Sequence, residues 1–358
     1  MQTQDPYSLD DSKVLDPPTS LKGTIKHLGP GFILSASIVG SGELVATTQL
    51  GAGAGFVALW VILVSCLVKV AIQLEFGKRA IMTGETTFAS FNTLPGKIGK
   101  AHWSIWTWLG LMLVKFLQVG GIVGLVAVLL NMAIPSVTVL SWLVFVVVAV
   151  ASIVISGYYR VLEIMSIVMI GIFTLFTLFS LIALQYTDSA IALGDVLSGL
   201  QFKMPEGDGM TLLVIGAFGI TGVGGDEIMA YNYWLIEKGY AANAGKNDGS
   251  ENWTSRAKGW IRVMYIDAIF AMAVYTIVTV AFFLLGCALL HGEGDFIKVG
   301  GADFLRNLSD LYTSTLGSWA GPFFYVGAFV VLFSTAFSAL GAWTRQFTDA
   351  FARVGLLD

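Results

Sequence analysis

Charge is what this chain has least of. Asp, Glu, Lys and Arg make up 12% of its residues, where a soluble domain carries roughly 25%. With 56% hydrophobic residues in long runs, that scarcity excludes an ordinary soluble domain and indicates a polytopic α-helical membrane protein. The runs do not alternate, as residues 139–155 (VLSWLVFVVVAVASIVI) show, which excludes an outer-membrane barrel. Cysteine is scarce too. Cys66 and Cys287 both lie in apolar stretches and read as small core residues, not as a disulfide or a metal pair. The three histidines, His27, His102 and His291, fall near segment ends and read as solvated interfacial residues. No Gly-x-Gly-x-x-Gly loop after a strand and no Walker lysine loop is present, so ATP hydrolysis within this chain is not expected. A net charge of -4 gives no nucleic-acid signal. No cleavable signal opens the chain. Residues 1–26 are polar with Asp-Pro and Pro-Pro pairs and read as a disordered cytoplasmic tail, ahead of one transmembrane domain over 27–358.

What is present is apolar length. A membrane span needs about 20 apolar residues, and eight candidates appear: 30–50, 54–80, 104–131, 137–156, 161–186, 209–236, 260–290 and 320–345. Of the 20 Lys and Arg, fifteen fall on segments sharing the N-terminal side, and only Lys203, Lys298 and Arg306 fall on the other. The positive-inside rule then puts the N-terminus in the cytoplasm, with the chain in the cytoplasmic (inner) membrane. The opposite loops are acidic, and read as solubilising loops or a weak cation funnel.

Two of these spans carry helix-breaking glycines beside acids. The first holds Gly40-Ser41-Gly42-Glu43, and the sixth holds Gly222, Gly224 and Gly225 before Asp226 and Glu227. They occupy corresponding positions if five-helix halves repeat, which is the sequence pointer to a transport site at mid-membrane. A break frees carbonyls on one side and N–H groups on the other, and survives only beside a cavity or inside protein. The freed carbonyls suit a cation, and Glu43, Asp226 and Glu227 add the charge. Two simpler readings stand beside this one. Glycines serve close helix packing, and the acids serve as first-turn caps, with Ser41 as N-cap. Compensating cations are at hand. Lys115 is central in its span, one turn before Gln118, and either pairs with an acid in the bundle or stays neutral. Lys69, with Gln73 and Glu75 following, reads as snorkelling or pairing near the inner face.

These residues resemble the Nramp family of divalent metal transporters. Gly29-Pro30-Gly31-Phe32 and Gly51-Ala52 match the family's first-span pattern without a gap. Thr83-Gly84 match its turn after the second span. Arg160 and Glu163 are similar to its Arg/Lys and Glu pair, and Gly219-Ile220-Thr221 to its Gly-Ala-Thr. The resemblance runs from about residue 22 to the end. It implies an all-α membrane protein of the LeuT type, two inverted five-helix repeats with spans one and six discontinuous, of which this chain shows eight and lacks the last two core helices. The departures fall on the ion site. Gly40-Ser41-Gly42-Glu43 stands where the family has Asp-Pro-Gly-Asn, and Val223-Gly224-Gly225 where it has Met-Pro-His. Lys115 and Gln118 replace its proton-carrying acids. Without a thioether, preference for soft metals weakens and a hard cation is favoured.

The sequence is therefore read as a secondary transporter for a divalent cation, Mn²⁺ or Mg²⁺, working by alternating access. The metal is its substrate and no cofactor is expected. Glu43, Asp226 and Glu227 are the expected ligands, with carbonyls near Gly40, Ile220 and Thr221 assisting. Lys115 and Gln118 compensate charge, and Gly42, Gly222, Gly224 and Gly225 make the breaks. The expected partners are the bilayer and the cation, with no nucleic acid and no obligatory protein. A rival keeps the fold and carries an amino acid or other small organic solute, with Na⁺ coupling. A third reading is a sensor that has lost transport. An enzyme is not expected, because no nucleophile, base and oxyanion donor converge.

Overall fold

The computed structural model describes residues 7, 9, 11–40, 42–155, 159–292 and 301–357. In chain order the helices begin with α1 (Leu21–Ile25), α2 (Pro30–Ile38), α3 (Thr48–Ala54), α4 (Leu59–Thr83) and α5 (Thr87–Phe91). Then come α6 (Trp103–Ala133), α7 (Val139–Ile155), α8 (Tyr159–Leu184), α9 (Leu193–Ser198) and α10 (Met210–Ile220). The rest are α11 (Gly225–Lys238), α12 (Tyr240–Ala244), α13 (Glu251–Leu290), α14 (Gly301–Leu316) and α15 (Ala320–Val354). A two-residue antiparallel hairpin, Lys97–Ile98 with Ala101–His102, precedes α6. Each expected span coincides with a helix or a pair of helices. Among the described residues six helical stretches are long and apolar enough to cross a membrane, Gly42–Thr83 running as one, and Val139–Ile155 is a shorter apolar helix.

Local chemistry sets the helix ends. Ser250 accepts the Trp253 amide at 3.0 Å and starts α13. Thr86 accepts the Ala89 amide at 3.2 Å and starts α5. Gly84 ends α4 in the left-handed region, φ 67°, which a residue with a Cβ enters at a cost. The start of α2 has no such local cap. Gly29 has no side chain to offer, and Pro30 follows it. The cap comes from across the bundle. Asp267 of α13, wholly buried, accepts the Gly29 amide at 2.9 Å and the Gly31 amide at 2.6 Å. Tyr231 donates to the same carboxylate at 3.0 Å. A Cβ on Gly31 would lie 2.8 Å from the Asp267 carbonyl oxygen, so the Gly-Pro-Gly-Phe motif admits a remote acid to a helix start. Nearby, Glu163 pairs with Lys238; Arg160, its expected partner, is exposed.

The core is centred on α2, α4, α11, α13 and α15. The approach of α3 to α13 is backbone against backbone. A Cβ on Gly51 would fall 2.4 Å from the Phe283 carbonyl oxygen, and one on Gly286 2.4 Å from that of Thr48. Small residues at such crossings replace hydrophobic drive with close packing. At one end of the bundle Arg345 makes two bonds to Glu237, at 2.6 and 2.9 Å, and Tyr7 donates to Glu237 at 2.8 Å.

Several expectations change. The polar tail does not stand free over residues 11–26. The Leu15 amide bonds the Asn243 carbonyl at 3.0 Å, and Trp260 Nε1 bonds the Leu15 carbonyl at 2.9 Å. Polar composition concealed that its backbone pairs with protein instead of water. His102 is buried, not solvated, because its ring caps α6 at Ser104 and meets the Pro95 carbonyl at 3.0 Å. Glu75 pairs with Lys78 at 2.5 Å, leaving Lys69 to other partners. Cys66 and Cys287 are buried and free.

Removing the remote cap has a calculable effect. Asp267→Ala is expected to cost about 3 kcal/mol or more, since charge-assisted bonds contribute about 1.5–3 kcal/mol each, with Asp267→Asn intermediate. Thermal melting of the detergent-solubilised protein checks this; equal melting temperatures for all three would refute the cap.

Candidate functional site

The first break follows α2. Val39 leaves helical geometry at ψ 82°, and the chain resumes as a π-helical turn, Gly42–Thr47. Such turns shift the hydrogen-bond ladder by one residue and gather at functional sites. Glu43 lies in that turn and is wholly buried. Its Oε2 accepts the Gly40 amide at 3.1 Å, so the carboxylate itself caps the broken chain. Its Oε1 is buried with no hydrogen-bond partner among the described residues. Ser41, expected as the N-cap, lies outside the described residues. The glycines here have a steric purpose. A Cβ on Gly40 would overlap Thr335 Oγ1 at 1.5 Å, and one on Gly42 would meet Ile220 Cγ2 at 2.7 Å. The latter contact brings the two breaks together.

The second break separates α10 from α11. Thr221 turns extended, φ -66° and ψ 135°. Gly222 then takes φ 74°, where an added Cβ would come 3.3 Å from the Cys66 backbone. At the start of α11, Glu227 Oε2 accepts the Gly224 amide at 2.6 Å, the acid half of a capping box. Its Oε1 accepts the Ser37 hydroxyl of α2 at 3.4 Å. Asp226 faces differently. Its Oδ1 pairs with Lys115 Nζ at 3.1 Å, and its Oδ2 meets Trp343 Nε1 at 3.5 Å. Gln346 donates to the Asp226 carbonyl at 2.8 Å. Nothing lies within 4 Å of where a Gly225 Cβ would be, so packing does not account for that glycine.

The carbonyl end of α10 is already served. Lys69 Nζ donates to the carbonyls of Phe218 at 2.7 Å, Gly219 at 2.9 Å and Thr221 at 2.8 Å. Ser65, one turn earlier on α4, donates to Phe218 and Thr221, each at 2.8 Å. The expectation that Lys69 snorkels or pairs with an acid is thus corrected. Broken-helix carbonyls outcompete a distant interface, because a cation belongs at a helix C-terminus. The Ser65 and Lys69 spacing of four residues was the available signal.

The structure therefore brings Gly42 against Ile220, Glu43 to the Gly40 amide, Glu227 to Ser37 in the last turn of α2 and to the Gly224 amide, and Lys115 to Asp226. Thr221 contributes a carbonyl already bonded to Lys69. Gln118 lies on an exposed face of α6, apart from these bonds. Ser37, Trp343, Gln346 and Thr335 were not anticipated, being polar or aromatic residues without pattern in their spans. Among the described residues no three His, Cys, Asp or Glu side chains gather as a metal cluster. Beside the junction, Ile220 lines an open cavity of about 520 Å³ with Ala46, Gln49, Leu213 and Ala217.

Comparison with known proteins follows the same lines. Residues 31–352 match the family model described as natural resistance-associated macrophage protein-like, Nramp. An uncharacterized protein of Pasteurella multocida is 26% identical over 331 residues, covering 89% of this chain and 69% of that one. The divalent metal cation transporter MntH of Clostridium acetobutylicum is 31% identical over 111 residues, 30% of this chain and 25% of that one. A mutant of the Eremococcus coleocola manganese transporter superposes with TM-score 0.67 at 14% identity, over 96% of this chain and 72% of that one. The same transporter with an aromatic bis-isothiourea substituted compound gives 0.66 at 14% identity, with the same coverage. At that identity the likeness establishes the LeuT-type fold. With interrupted helices at spans one and six and a family match over nearly its whole length, this integral membrane chain belongs to the Nramp family.

Proposed function

We propose that the chain is a secondary transporter for a divalent cation of the Mn²⁺ or Mg²⁺ class, working by alternating access from the junction of its two broken helices, in the cytoplasmic membrane with its N-terminus inside. One observation carries this reading: Glu43 Oε1 is a buried carboxylate oxygen with no hydrogen-bond partner among the described residues, on the residue after Gly42, which meets Ile220. A buried acceptor left unpaired is costly, and a hard cation is a partner that carboxylate oxygen prefers. Glu227, bonded to Ser37 and to the Gly224 amide, is the second ligand. Asp226, held by Lys115, serves as charge reserve: when the cation leaves, Lys115 balances the acids. The Nramp family and the manganese and divalent-metal transporters similar to this chain support the cargo class. The missing thioether, with Val223 in its place, supports a hard ion.

A second reading is favoured by a different observation. The 520 Å³ cavity beside Ile220 falls in the usual range for small-molecule sites, so an amino acid or other small organic solute, coupled to Na⁺, is the alternative cargo.

Uptake into proteoliposomes separates the two. Glu43→Gln keeps an acceptor for the Gly40 amide but removes the charge, and Mn²⁺ or Mg²⁺ uptake is expected to fall at least about tenfold, equivalent to about 1.4 kcal/mol. Unchanged cation uptake, or amino-acid uptake without any divalent flux, would overturn the metal reading. In Lys115→Ala the dependence on the driving gradient is expected to change more than apparent cation affinity. Equal loss of both would reject a coupling role for Lys115.

A further inference from the structure

The last turn of α10 presents three carbonyls with no helical donors, and one side chain answers all three. Lys69 Nζ lies 2.7, 2.9 and 2.8 Å from the oxygens of Phe218, Gly219 and Thr221. A primary ammonium has three N–H donors, so the match of donors to acceptors is complete. The Phe218 ring lies beneath, its centroid 5.5 Å from Nζ, a cation–π distance. Ser65 braces two of the same carbonyls. Gly222, against the Cα of Cys66, lets the broken chain lie on α4 one turn before Lys69.

We propose that Lys69 is a resident cation of the transport site: its ammonium fills the carbonyl cradle of α10 and bars a mobile cation from it, so that the cargo is held by carboxylate oxygens and not by α10 carbonyls. The specificity part of this inference rests on the transport reading above; the cradle itself does not. Lys69 is thus a specificity-determining residue acting by occupation. An ammonium there also balances part of the charge of Glu43 and Glu227, both of which lie close enough to act on it electrostatically.

The test exploits what the side chain is. Lys69→Ala deletes a propylammonium fragment from the full chain. The melting temperature of the detergent-solubilised variant is expected to fall by roughly 3–6 °C. Millimolar n-propylammonium should recover at least half of that loss without moving the unsubstituted protein. Tetramethylammonium, which has no N–H, should recover none. Lys69→Met, whose stem fills the space, should melt low and not respond. If Lys69→Ala cannot be recovered intact, extraction in propylammonium against tetramethylammonium makes the same comparison on yield. An unchanged melting temperature, or equal effects of the two amines, would overturn the cradle. In proteoliposomes, Na⁺ or NH₄⁺ should inhibit Mn²⁺ uptake by Lys69→Ala at concentrations at least about fivefold lower than for the unsubstituted protein; equal inhibition would overturn the specificity role. Amine rescue with no cation uptake by the unsubstituted protein would overturn the transport reading and the specificity role while upholding the cradle. Uptake without rescue would overturn the cradle, and the specificity role with it, while leaving the transport reading standing.

Discussion

Inside a bilayer a backbone group that loses its helical partner has no water to replace it, and the centre of this molecule is arranged around that constraint. Two helices are interrupted, and the first of them also begins without a local cap. Four of the freed amides and three of the freed carbonyls are met by charged side chains from the same fold. Glu43 takes the Gly40 amide, Glu227 the Gly224 amide, and Asp267 those of Gly29 and Gly31. Lys69 takes three carbonyls. Acids stand at N–H ends and an ammonium at a carbonyl end, as the helix dipole requires. The same charges that repair the backbone therefore furnish the chemistry of the junction.

This double use explains why the acids are not interchangeable. Asp226 has its charge answered by Lys115. Glu227 spends one oxygen on its own helix and the other on Ser37. Among the described residues, Glu43 is the one of the three that keeps a buried oxygen without a hydrogen bond. Two lysines share the work at the second break: Lys115 of α6 meets the Asp226 carboxylate, and Lys69 of α4 meets the backbone oxygens.

The spans and both interruptions were legible because apolar length and paired glycines are one-dimensional signals. The Lys115 pairing was legible too, since a central lysine has too long a path to the interface and an acid lay one break away. Lys69 was misjudged from its position alone; the groups it serves belong to a segment 150 residues later. Asp267 passed unnoticed for the same reason: nothing near it in the chain shows that Gly29 and Gly31 need a cap. The tail misled through composition, because a few backbone bonds and the neighbouring Trp260 outweigh many polar side chains. Contacts between distant segments carry these features, and periodicity does not encode them.

The remote cap on α2 has a mechanical side. Nine helical residues make a stiff rod of about 13 Å at 1.5 Å per residue, fastened at its first turn to α13 and jointed at Gly40. Gly31 lies too close to the backbone of α13 for the two to slide past each other. The rod and α13 are thus fastened to each other at its first turn, and the helical path of the first span is lost at its other end, at Val39 and Gly40 beside Glu43.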